Sequence, residues 1–269
     1  MHEAAAFLAL VAALSTAAWW RYCRIARHAQ RESLVDDGPV LTDRFSERAR
    51  PPHSPFDARV HWLHEVFERA VEVLPDYPAL SVPHSGEHLS YAELNRRANA
   101  IAAALLQHID GPDQVVGVAI TQDNADIVAA HLGILKAGAA QLFLDPDAPA
   151  SMIAHMLADA QPVVVLTRGQ SDSGALPTID LRRLETTDVR LTKPDWLDEP
   201  AERLAAIFYT SGTTGMPKGV ECAHAGYVNL ARSYADYFDF TPGYDATSLT
   251  SSLCYDGSIS EMYSAWSSG

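Results

Sequence analysis

Between Ser90 and Thr167, apolar runs of strand length alternate with segments of helical period, and few architectures accommodate that order. Ser90 followed by Glu93 makes a capping box. Leu94, Ala98, Ile101 and Leu105 then fall four, three and four residues apart, which predicts a helix with one apolar face. Val115 to Ile120 predicts a strand, Asp126 to Lys136 a helix ended by Gly138, and Gln141 to Leu144 a strand stopped by Asp145 and Pro146. A helix over Met152 to Ala160 and a strand over Val163 to Thr167 continue the series. Strands separated by helices pair in parallel through crossovers, so the expected fold class is α/β, a doubly wound, mostly parallel sheet with flanking helices. Upstream, Leu63, Phe67 and Val71 predict a helix over His61 to Val73, and Ala79 to Val82 a short strand. Arg168 to Glu202 shows no period and reads as an irregular surface segment.

At 269 residues and 48% hydrophobic, the chain can bury a substantial core. Thirty-four acidic against twenty basic residues leave a net charge of -14, which repels phosphate backbones and argues against nucleic acid as a partner. Cys23, Cys222 and Cys254 are widely spaced and show no zinc-site pattern, so they read as reduced thiols of a cytosolic domain.

The chain divides into three parts: residues 1–31, a polar, Pro-containing linker over 32–58, and a globular domain over 59–269. Ala4 to Trp20 carries no charge and as a helix would span about 25 Å, just short of a hydrocarbon core. Trp19 and Trp20 sit where an interfacial belt would lie. Arg21, Arg24, Arg27 and Arg31 follow, placing the remainder in the cytoplasm if residues 4–20 anchor in a membrane. An Ala-rich soluble or interfacial helix is the other reading. The opening Met1-His2-Glu3 lacks the basic start of a cleaved secretory signal.

After an apolar strand over Leu204 to Phe208 comes Tyr209-Thr210-Ser211-Gly212-Thr213-Thr214-Gly215-Met216-Pro217-Lys218-Gly219. These residue types suit a polyphosphate: glycines let successive N–H groups line one concavity, hydroxyls add donors, and Lys218 supplies a compact positive charge. Such a charge would stabilise a departing pyrophosphate, a catalytic role. The spacing is neither the GxxxxGK(S/T) of P-loop enzymes nor the GxGxxG of dinucleotide folds. A Ser/Thr/Gly-rich surface turn is the alternative on composition.

The ordered loop resembles the signature of the adenylate-forming, AMP-binding superfamily, which includes acyl-CoA synthetases, luciferases and the adenylation domains of nonribosomal peptide synthetases. Leu89-Ser90-Tyr91-Ala92-Glu93-Leu94, Leu135-Lys136-Ala137-Gly138-Ala139 and Leu144-Asp145-Pro146 resemble earlier motifs of that family, in family order. Tyr255-Asp256-Gly257-Ser258 with Glu261 resembles the Phe-Asp-x-Ser segment of amino-acid adenylation domains, although Tyr stands for the usual Phe and Ser260 for a common aromatic. The resemblance covers about residues 60–269 and implies the N-terminal part of the large subdomain of such an enzyme. It implies ATP and Mg2+ as cofactors, a carboxylic acid substrate, in this branch an amino acid, and a carrier protein or CoA as acceptor. It also implies ATP-phosphate contacts from Thr210, Ser211, Gly212, Thr213, Thr214, Gly215 and Lys218, and a substrate-ammonium contact from Asp256. Asp256 or Ser258 could instead cap a helix expected from Ile259.

The sequence stops soon after Asp256, so the family's adenine, ribose and magnesium segments and its C-terminal lid are expected beyond this piece. Two other functions stay open: an acyl-CoA synthetase for a fatty or aryl acid, and a non-catalytic, membrane-tethered nucleotide-binding module. His224, close after the loop, reads as structural, and Cys254 as a buried inert thiol. His61, His64, His84 and His88 share no metal-ligand spacing.

Overall fold

The computed structural model describes residues 60–169, 176–186, 189, 191, 196, 202–211, 216–238, 240 and 245–267. The 4–20 run, its basic flank and the 32–58 linker lie outside the described residues. Among the described residues, no helix is long and apolar enough to cross a membrane.

In chain order the elements are α1 (Leu63–Val73), β1 (Pro78–Val82), β2 (Glu87–Ser90), α2 (Tyr91–Leu105), β3 (Val115–Ala119), α3 (Ala125–Lys136) and β4 (Ala140–Phe143). They continue with α4 (Ala150–Ala160), β5 (Val164–Thr167), β6 (Thr178–Asp180), a 3-10 turn (Leu181–Arg183), β7 (Leu204–Thr210), β8 (Lys218–Ala223), α5 (His224–Tyr237) and α6 (Gly257–Trp266). Six strands form one sheet in the order β6-β5-β3-β4-β7-β8, with β1 and β2 a separate antiparallel pair. β5, β3, β4 and β7 run parallel, in register Val116 to Val164, Val115 to Ala140 and Gln141 to Ala206, and β6 joins parallel to β5.

Local chemistry explains these elements. The Ser90 Oγ accepts from the Glu93 N–H at 3.2 Å, and the Ser90 N–H donates to Glu93 Oε2 at 2.8 Å, satisfying two N-terminal donors of α2. α3 starts from Asn124, whose side-chain oxygen accepts from Asp126 N–H at 2.9 Å. β4 and β5 are buried at every residue, as strands covered on both faces must be. The β3–α3–β4 and β4–α4–β5 crossovers travel in opposite directions along the sheet, so right-handed connections place α3 and α4 on opposite faces. On one face Met156 of α4 packs with Val115, Ala140, Leu142, Leu144 and Ile207. On the other, α2 and α3 approach so closely that a Cβ on Gly133 would lie 2.8 Å from the Cβ of Ile101 and 2.9 Å from the carbonyl of Ala98.

The main sheet is mostly parallel, as the sequence predicts, and three strands, β8, β6 and β2, go beyond the sequence-based expectation. β8 pairs antiparallel with β7, which makes the sheet mixed. The stretch read as irregular after Arg168 contributes β6, a three-residue strand too short to show alternation. β2 is a short, largely solvent-facing partner of β1, stabilised by pairing that no local window reveals.

Candidate functional site

The loop singled out in the sequence leaves the C-terminal end of β7 and returns as β8, with Thr210 directly opposite Lys218. Thr210, Ser211 and Lys218 are exposed at this end of the sheet. Gly212, Thr213, Thr214 and Gly215 lie outside the described residues. β7 is parallel to β4, so the loop leaves from the same end of the sheet as the C-terminal ends of β3 and β4, whose crossovers run to opposite faces and make a topological switch point, where α/β folds bind ligands.

The segment carrying Asp256 reaches the same end of the sheet. Gln122, just beyond β3, donates from Nε2 to the Ser251 carbonyl at 2.6 Å and accepts the Leu253 N–H at 3.3 Å. The Cys254 thiol donates to the carbonyl of Phe143, the last residue of β4, at 3.6 Å. From the other side Glu261 of α6 accepts from Thr250 N at 2.7 Å, Thr250 Oγ1 at 3.1 Å, Ser251 N at 2.9 Å and Ser251 Oγ at 2.8 Å. Burial pushes the Glu261 carboxyl up, but the bonds from Ser251 and Thr250 outweigh it and hold the group below the usual carboxylate range.

Asp256 is exposed and occupies the N-cap of α6, which starts at Gly257, earlier than the Ile259 expected. Its backbone is already helical at φ -61° and ψ -26°, and its side chain makes no capping hydrogen bond. Ser258 lies one residue inside the helix, and its hydroxyl donates to the Tyr255 carbonyl at 2.8 Å. Neither side chain therefore caps α6. The Asp256 carboxylate is close enough to Tyr227 of α5 to join burial and a bond to Cys222 in pushing that phenol up.

His224 is fully buried at the start of α5. Its Nδ1 accepts the Leu63 N–H at 3.1 Å, and its ring meets Trp62 edge-on at 4.7 Å. Burial holds it neutral, well below the ordinary histidine range, so it ties α5 to α1, a structural role. Burial likewise pushes the Cys254 thiol up, away from nucleophilic thiolate. Among the described residues, no group of three or more His, Cys, Asp or Glu side chains could hold a metal ion.

The structure adds a polar chain that the sequence reading overlooked. His131 of α3 is fully buried, with Nδ1 2.5 Å from Gln141 Oε1 and Nε2 2.9 Å from the Tyr263 hydroxyl. The amide oxygen accepts, so Nδ1 carries the proton and Tyr263 donates to Nε2. β4, α3 and α6 are thereby tied together two turns below Asp256. A polar ring set among Ala129, Ala130 and Leu132 was the available signal.

The profile of the family described as AMP-binding enzyme matches residues 67–269. Tyrocidine synthase 1 of Brevibacillus parabrevis is 34% identical over 216 residues, covering 77% of this chain and 19% of the relative. A dimodular nonribosomal peptide synthase of Bacillus subtilis is 34% identical over 237 residues, covering 83% and 10%. The chain thus spans a small fraction of the length of these curated relatives. A crystal structure of the nonribosomal peptide synthetase FmoA3 with AMPPNP bound superposes with a TM-score of 0.67 at 27% identity, covering 80% of this chain and 23% of that one. With its profile match, its relatives and its fold in agreement, this chain belongs to the AMP-binding, adenylate-forming enzyme family and is similar to the adenylation domains of nonribosomal peptide synthetases.

Proposed function

We propose that this chain supplies the phosphate-binding hairpin and part of the acid pocket of an enzyme that activates an amino acid as its adenylate. A substrate carboxylate oxygen attacks the α-phosphorus of ATP, the bond from that phosphorus to the bridging oxygen breaks, and pyrophosphate leaves with the electron pair. The observation that carries this reading is the β7–β8 hairpin, which sets Thr210 opposite Lys218 at the C-terminal end of a parallel strand. Thr210, Ser211, Gly212, Thr213, Thr214 and Gly215 would donate to phosphate oxygens, and Lys218 would neutralise charge on the departing pyrophosphate. Mg2+ would reach such a site on the triphosphate, with only one or two carboxylates from the protein. It would supply charge neutralisation between phosphates. Asp256, free of any capping bond, would pair with the substrate ammonium. A carrier protein or CoA would then accept the acyl group.

Amino-acid-dependent exchange of pyrophosphate into ATP, measured in the polypeptide that bears this chain, tests the reading. Lys218→Ala should cost at least about tenfold, or about 1.4 kcal/mol of barrier. Retained exchange would contradict the assigned role, and exchange driven by fatty or aryl acids alone would favour an acyl-CoA synthetase. Nucleotide binding without adenylate formation would favour a non-catalytic module. Residues 4–20 are proposed as a membrane anchor that leaves the domain in the cytoplasm. Retention in membranes through alkaline carbonate supports that reading, and release identifies a soluble or interfacial helix instead.

A further inference from the structure

Two side chains of α4 hold the residues on either side of the phosphate hairpin. His155 and Asp159 stand one helical turn apart on the same face of α4. His155 Nε2 lies 2.9 Å from the carbonyl of Pro217. A carbonyl can only accept, so the imidazole donates and fixes the peptide that leads into Lys218. On the other strand the Tyr209 hydroxyl donates to Asp159 Oδ2 at 2.7 Å, fixing the residue before Thr210. The two contacts are joined by an edge-on meeting of the His155 and Tyr209 rings at 6.2 Å.

Gly219 makes this arrangement feasible. A Cβ there would sit 3.2 Å from Tyr209 Cζ, 3.3 Å from its hydroxyl and 3.2 Å from Ile207 Cγ2. The Tyr209 ring therefore crosses β8 over the one residue that has no side chain, on its way to Asp159.

We infer that His155 and Asp159 are positioning residues for nucleotide binding, acting through Pro217 and Tyr209 to aim Lys218 and Thr210 at the phosphates. The inference rests on the phosphate-binding reading of the hairpin and names the outside struts that set it. Neither residue is assigned a contact with the nucleotide. Their effect should therefore be carried by the groups they hold, and it should be read in nucleotide affinity rather than in affinity for the acid.

The test is calorimetric titration of the polypeptide that bears this chain with AMPPNP, with circular dichroism melts to confirm folding. His155→Phe keeps the ring and loses the donor. It should weaken AMPPNP about tenfold, and His155→Gln, which restores an N–H donor, should recover most of that loss. Tyr209→Phe, which removes only the hydroxyl, tests the other strut independently should His155→Phe fold poorly. In a Lys218→Ala background the His155→Phe loss should shrink to less than about twofold, since the group it aims is gone. A wild-type polypeptide that does not bind AMPPNP would bring down the phosphate-binding reading and this inference with it. Wild-type binding combined with His155→Phe and Tyr209→Phe affinities within about twofold of it would overturn this inference alone. An undiminished loss in the Lys218→Ala background would do the same, marking the contacts as merely structural.

Discussion

Replacing His131 by Gln should flatten the dependence of folding stability on pH between neutrality and pH 4. In the folded chain His131 is fully buried, and burial lowers its pKa from 6.5 to about 4, even though the bond to Gln141 opposes the shift. In the unfolded chain it should titrate near the ordinary value of about 6.5. Between those values the unfolded state binds a proton that the folded state refuses, so stability is full above pH 6.5 and falls as pH drops toward 4. The slope contributed approaches about 1.4 kcal/mol per pH unit, and over the window from 6.5 to about 4 the loss integrates to about 3 kcal/mol. His224, also held neutral by burial, adds a loss of the same sign. The variant should therefore reduce the acid slope rather than abolish it. Urea unfolding at a series of pH values, followed by tryptophan fluorescence, gives both curves. The introduced glutamine cannot titrate yet can still offer an amide to Gln141 or Tyr263, so an overall offset between the curves is expected. Parallel curves across the window would refute the reasoning, because they would show that His131 takes up no proton on unfolding.

Two further outcomes follow from named contacts. Asp256→Asn should raise the KM for the amino acid in pyrophosphate exchange by at least about tenfold while leaving that for ATP within about twofold; equal rises in both would remove Asp256 from the ammonium site. Gly133→Ala should lower stability by about 1–3 kcal/mol in denaturant unfolding, because the added Cβ meets Ile101 and the Ala98 carbonyl at under 3 Å; an unchanged midpoint would mean that α2 and α3 can separate freely.

What could be read from the sequence is what depends on near neighbours. The Ser90 and Glu93 box and the spacing of Leu94, Ala98, Ile101 and Leu105 act within one or two turns, and α2 forms where they predict. β3, β4 and β5 announce themselves as continuous apolar runs because both their faces are covered. β8 gives no such signal: Lys218, Gly219, Val220 and Glu221 are all exposed, and they form a strand only because the ladder from β7 reaches them. The same division runs through the candidate site. Thr210, Lys218 and Asp256 stand out as candidates because binding a phosphate or an ammonium would demand unusual residue types in a fixed order. The residues that hold the segment before Asp256 are ordinary ones, Gln122 bonding to Ser251 and Leu253 across 129 and 131 positions. Tyr263 reaches His131 across 132 positions. A side chain whose task is set by a partner that distant carries no mark of it in its own neighbourhood. Substitutions at Gln122 or His131 therefore look innocuous in the sequence, yet Gln122 ties the segment before Asp256 to the end of β3, and His131 ties the helix after it to β4.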